Sequence, residues 1–170
     1  MAIDMYSLDI LDRLLEHDAW TTRQVLALAG RLGDEQLDQD FDIGHRRIRE
    51  TMQHIIDNIE IWSDLMAGRT VRQMAAGRQS VAELERRFES AYGDFARIAR
   101  ELRDTQRLND MYLDVLDRPP QEKSYAGTIL HVITHDHMHR AEILHMLERM
   151  GVQDLIEGDV LSWEARRRGR

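Results

Sequence analysis

The chain's only two prolines are adjacent, Pro119-Pro120, so nothing before them interrupts a helix by proline. A proline inside a helix costs about 3 kcal/mol through its missing N–H and its clash with the preceding turn. Ten glycines in 170 residues leave long stretches without the other common breaker. This punctuation favours a few long helices over a strand-rich fold.

Apolar spacing divides the chain into four such helices. The first is predicted over 7–32, with Leu11, Leu15, Val25, Ala29 and Leu32 on one face, interrupted by Asp18 and Thr22. The second spans 45–67, with Ile48, Met52, Ile55, Ile59, Trp62 and Met66 as its stripe and Gly68 as its stop. The third has the clearest start. Ser80-Val-Ala-Glu83 fits a capping box, and Val81, Leu84, Phe88, Ala91, Phe95, Ile98 and Leu102 follow at threes and fours. The fourth runs from 124 or 125 to 150 and stops at Gly151. Between the third and fourth, Met111-Tyr-Leu-Asp-Val-Leu has weak period-two character, broken at Arg118-Pro-Pro-Gln, which predicts a short irregular or hairpin-like excursion. The segment 152–163 reads as a loop with a helical turn, docked by Leu155, Ile156, Leu161 and Trp163. The expected fold is all-α, a four-helix bundle, with residues 1–170 as one domain and no internal repeat or separating linker.

Charge and composition exclude several function classes. A net charge of −8 and no basic stripe in the body of the chain argue against a nucleic-acid partner. The terminal Arg166-Arg167-Arg168-Gly169-Arg170 reads as a solvated tail. No apolar run approaches the roughly 18–20 residues that span a bilayer, so no membrane partner is expected. The N-terminus lacks a basic-then-apolar signal pattern, and a cytoplasmic location is the default. With no cysteine there is neither a disulfide nor a cysteine nucleophile, and any thiol chemistry must use a small-molecule thiol.

The chemistry-bearing feature is the run His131-Val-Ile-Thr-His135-Asp-His137-Met-His139-Arg140, with four of the eight histidines. His131, His135 and His139 recur every fourth residue and share a helix face within an arc of about 80°. A helix built only for packing has no reason to stack three titratable rings. Two rings one turn apart can hold one divalent ion, and His135 with His139 is the preferred pair, His131 being a neighbour or spare ligand. A third ligand is needed. His54, at the edge of an inward stripe and flanked by carboxylates, is the best candidate, although a packed interface histidine explains it equally well. His17 and His45 read as surface or capping residues, and His137 and His145 as solvent-facing or at a subunit contact. Glu142, on the histidine arc, suits a hydrogen-bond acceptor behind a ligand, an extra ligand or a general base. Asp18 and Thr22 line the same cavity or, in the reading favoured, bond a neighbouring helix.

These stretches together resemble the DinB/YfiT-like family of metal-binding four-helix bundles. His17-Asp-Ala-Trp20 resembles its first-helix motif, Ile48-Arg-Glu-Thr-Met-Gln-His54-Ile with Glu60-Ile-Trp62 its second-helix motif, and His131 to Glu142 its fourth-helix motif. The resemblance implies an up-down-down-up topology, a homodimer, and a divalent ion, zinc or nickel, on His54, His135 and His139. Two departures stand out. Arg140-Ala-Glu142 replaces the family's common Arg-Gly-Gln, and Gly44-His45 replaces a Ser-type cap, which leaves room for His45 near the cavity mouth. Related members are thiol-dependent transferases and isomerases. That implies an enzyme in which the ion activates a low-molecular-weight thiol while Glu142 or Asp57 orients ligands or shuttles a proton. A hydrolase using metal-activated water, a non-catalytic metal-binding stress protein and a metal-free bundle stand as alternatives.

Overall fold

A computed structural model describes residues 8–169. Its helices are α1 (Ile10–Ala29), α2 (Asp34–Leu37), α3 (Ile48–Met66), α4 (Val81–Asp104), α5 (Tyr125–Arg149) and α6 (Val160–Arg167), with strands β1 (Met111–Asp114) and β2 (Gln121–Ser124) between α4 and α5. The all-α expectation holds for the body of the chain. The expected first residues of helix one, before Leu8, lie outside the described residues.

Local chemistry sets the helix ends. Asp9 caps α1 by accepting from the Asp12 N–H at 2.8 Å. The Ser80 Oγ accepts from the Glu83 N–H while Glu83 Oε2 takes the Ser80 N–H at 2.8 Å, so the capping box forms as read. Ser124 caps α5 through the Gly127 N–H. At the other end of α5, Val152 N–H donates to Leu147 O and Gly151 N–H to Glu148 O, with Gly151 at φ 76°. This paired closure needs a left-handed residue, which glycine adopts without Cβ strain.

The second helix departs from expectation at its start. It begins at Ile48, not His45, because Gly44 and Arg46 are left-handed, at φ 51° and 70°. His45 therefore sits on a turn rather than on a helix face. The short α2 was also not read from the sequence; its Leu37 and the following Phe41 are buried and pin the 30–47 connection to the core.

The four long helices pack in a ring, α3 against α4 and α5, and α1 against α4 and α5. Leu15, Val25, Ile48, Ile55, Ile59, Leu84, Phe88, Phe95, Ile143 and Leu147 fill the space they enclose. β1 pairs antiparallel with β2, Met111 opposite Ser124 and Asp114 opposite Gln121. α6 docks through Trp163, which is fully buried with its ring edge-on to His17. His17 is itself buried, with Nε2 2.9 Å from Gly158 O, so it anchors the C-terminal segment rather than lying at the surface as expected. Among the described residues no helix is long and apolar enough to cross a membrane.

The 67–80 connection is tied down by one carboxylate. Buried Asp64 accepts from Arg72 Nε and Nη2, each at 2.7 Å, from the Arg72 N–H at 3.1 Å and from Arg69 Nε at 2.9 Å. The Arg72 guanidinium is the main reason its carboxyl falls to about 2. A carboxyl lowered on folding stabilises the fold above its unfolded value and loses that contribution as pH falls toward its folded value. Asp64→Asn is expected to cost about 2 kcal/mol at neutral pH. Urea denaturation should show that deficit shrinking as the pH falls from about 4 toward about 2. A pH-independent deficit would assign the loss to packing instead.

Candidate metal centre

α3 and α5 bring His54, His135 and His139 near one another. His54 projects from the second turn of α3, and His135 and His139 stand one turn apart on α5. The Nε2 of His135 lies 3.3 Å from that of His54 and 3.2 Å from that of His139. Two nitrogens bound to one tetrahedral ion at about 2.0–2.1 Å lie about 3.3–3.4 Å apart, so the spacing suits a shared cation. Hydrogen bonding alone does not satisfy it. One imidazole nitrogen offers either one hydrogen or one lone pair, so His135 Nε2 can bond one of its two neighbours but not both.

The fourth member of the cluster is His45. Its ring centroid is 3.9 Å from that of His54 and 5.1 Å from that of His139. Ligand atoms of His45, His54 and His139 all lie within 4.8 Å of one another, a grouping able to hold a metal ion. The reading of His45 as a surface or capping residue is thereby corrected. The signal was present in Gly44-His45 at the place where a helix cap was expected, but helical spacing counted back from Ile48 absorbed it.

Glu142 stands directly behind His139. His139 Nδ1 is 2.7 Å from Glu142 Oε2. A carboxylate accepts, so Nδ1 carries the hydrogen and Nε2 presents its lone pair to the cluster. Burial pushes His54 down to about 4, with repulsion from His45, His139 and His135 adding to the effect. Burial also lowers His135 and His45. Burial thus favours the neutral form of His54, His135 and His45, the form that binds a metal.

The other candidate residues fall elsewhere. Asp57 turns to the α3–α4 seam, where Arg87 Nη2 reaches its Oδ1 at 2.5 Å and Glu60 Oε2 at 2.6 Å. No hydrogen bond or ion pair joins it to a histidine among the described residues. His131 is exposed, its ring 5.3 Å from both Trp62 and His135. His137 and His145 are exposed on α5. Asp18 and Thr22 bond a neighbouring helix through Arg140, whose Nη1 lies 2.5 Å from Asp18 Oδ1 and donates to Thr22 Oγ1 at 3.0 Å. Asp136, fully buried beside His135, was not singled out in the sequence; its Oδ1 is 3.7 Å from His135 Nδ1, beyond hydrogen-bond length.

Helical proteins that gather imidazoles from facing helices at one end of a shared core form a recognisable class. The chain belongs to the DinB family, whose family model matches residues 5–162. It is similar in fold to a crystal structure of a DinB-like protein from Bacillus cereus, with 16% identity and a TM-score of 0.65 over 86% of this chain and 97% of that one. No curated protein matches it.

Proposed function

We propose that the protein is a metal-dependent enzyme in which Nε2 atoms of His54, His135 and His139 hold a divalent transition ion, zinc or nickel. The observation that carries this reading is the pair of short contacts at His135, whose Nε2 lies 3.3 Å from that of His54 and 3.2 Å from that of His139. Bound there, such an ion would favour thiolate over thiol in a small-molecule thiol, which suits a thiol-dependent transferase or isomerase. The chain's lack of cysteine is consistent with a thiol brought by a co-substrate. Its own residues orient and seclude. Glu142 fixes the His139 tautomer, and α3 and α5 hold the rings without rearrangement.

The same reading includes the up-down-down-up course. Along α1 the partners on α4 descend, Asp9 and Asp12 meeting Arg103 and Arg23 meeting Glu89, which suits antiparallel helices. Trp62 faces His131 while His54 faces His135 and His139, which suits an antiparallel α3 and α5. A homodimer also belongs to this reading, and light scattering tests it.

A second reading, a metal-holding protein without turnover, is favoured by the His45 ring over the cluster. Elemental analysis of the purified protein, followed by transfer assays with a panel of low-molecular-weight thiols and with ester and amide substrates, separates the two. Metal with thiol turnover supports the transferase. Metal without any turnover supports the second reading, and a metal-free protein that takes up no zinc or nickel refutes both.

Glu142→Gln is expected to lower metal affinity by roughly 10–100-fold, the usual effect of removing a carboxylate behind a histidine ligand. Competition with a chromophoric chelator measures it. Unchanged affinity would remove Glu142 from the centre.

A further inference from the structure

We propose that His45 is a fourth, displaceable ligand, so that four imidazoles close the centre at rest and an incoming donor must take His45's place. This rests on the three-histidine centre proposed above and goes beyond it. The position of the ring is one support: a ligand nitrogen of His45 lies within 4.8 Å of those of His54 and His139, and the ring sits 3.9 Å from that of His54.

The construction of the turn is the second. His45 stands between two left-handed residues, Gly44 and Arg46. A non-glycine residue held in that region costs on the order of 1 kcal/mol or more and persists only where its surroundings enforce it. Here they do. The Arg46 guanidinium grips Asp40 through Nε at 2.9 Å and Nη2 at 2.7 Å, the Phe41 N–H donates to Arg46 O at 2.7 Å, and the Arg46 N–H donates to Ile43 O at 2.8 Å. Phe41 is buried and fixes the base of the turn. The result is an imidazole aimed inward from a strained support.

The third support is the seat of that turn. A Cβ on Gly44 would fall 2.2 Å from Glu142 Oε2, the oxygen that also faces His139 Nδ1. The turn therefore rests on the residue that orients another member of the cluster, at a position where only glycine fits. His54, His135 and His139 ride on helices of 19 and 25 residues, whereas His45 is half-buried on a short turn with few backbone bonds. Of the four rings it is the one whose withdrawal breaks least structure.

The consequence is chemical. An ion ringed by four protein nitrogens has no open position, and one with three keeps a place for substrate. Exchange at that place is a simple substitution: neutral His45 leaves and a donor atom enters, with no change in oxidation state.

Cobalt(II), which reports its donor set by visible absorption, provides the test. His45→Ala is expected to retain one cobalt per chain with an altered spectrum, and added imidazole to restore the parent spectrum. Azide should bind His45→Ala about tenfold more tightly, because the parent presents an open site only a fraction of the time. Coincident spectra with no response to imidazole, equal azide affinity, or loss of cobalt from His45→Ala would each overturn a displaceable fourth ligand. His54→Ala separates the two levels. If it keeps its cobalt, the three-histidine centre itself fails. If it loses cobalt while His45→Ala matches the parent, only the role of His45 fails.

Discussion

His54→Ala and His135→Ala are each expected to emerge from purification without the divalent metal proposed for the parent protein. The effect should be larger than that of Glu142→Gln. Removing a group behind a ligand weakens affinity roughly 10–100-fold, whereas removing a ligand deletes a bond to the ion and leaves water in its place. His135 is the more informative of the two, since its Nε2 is the atom shared by both short contacts. The measurement is metal per chain by elemental analysis after dialysis, with far-ultraviolet circular dichroism to show that the helices persist. Full metal content in both variants would sink the site. Loss in His54→Ala alone would move the centre toward His45, His54 and His139, the other grouping that the geometry allows.

The metal-free variants also separate folding from binding. His54 is lowered on folding to about 4, chiefly by burial, so the fold opposes its protonation. A lowered group confers stability that is complete above its unfolded value, near 6.5, and is lost as pH falls toward about 4. Exchanging His54 for alanine removes that dependence along with the ligand.

Much of this arrangement was legible in the sequence because it obeys local periodicity. The third and fourth long helices start where Ser80-Val-Ala-Glu83 and Ser124 place them, since a cap is a short-range hydrogen bond. His135 and His139 face one way because they are four residues apart on a helix. His54 joined them because it lies at the edge of the stripe that α3 turns toward α5. The His45 position was not legible in the same way. It depends on φ at Gly44 and Arg46, and the arginine's left-handed state is set by Asp40 and Phe41 rather than by its own preference. Asp57 misled for the opposite reason. Its nearness to His54 in sequence suggested shared chemistry, but a long-range partner, Arg87 on α4, claims it.

Arg140→Met is expected to be the most destabilising single change outside the apolar core, by about 3–5 kcal/mol. Arg140, Asp18 and Asp136 are all essentially inaccessible, at 1%, 0% and 0% exposure. Asp136 and Arg140 occupy the inward stripe of α5 where Ile129, Val132, Ile143 and Leu147 would otherwise continue it, and Asp18 meets Arg140 from α1. Burial pushes both carboxyls upward, Asp136 well above its usual range with the Asp18 charge adding to the effect, and the Arg140 guanidinium opposes the shift in each. Removing the cation leaves two carboxyls that must stay protonated or carry an unpaired buried charge. The sign of the pH dependence follows. A carboxyl raised on folding favours the fold below its unfolded value of about 4, and that support is lost as pH rises through the folded value. The deficit of Arg140→Met against the parent should therefore be largest near pH 7.5 and shrink toward pH 4.5, measured by urea denaturation of chelator-treated protein. Adding Asp18→Asn to Arg140→Met should recover part of the loss by removing one of the stranded carboxylates. A deficit under about 1 kcal/mol, or one that grows on acidification, would mean that the triad does not act as a buried ion network. If the triad does act so, its position matters to the metal centre. Arg140 follows His139 and Asp136 follows His135, so the pull between α5 and α1 fixes the rotation of α5 that turns the two histidines toward His54.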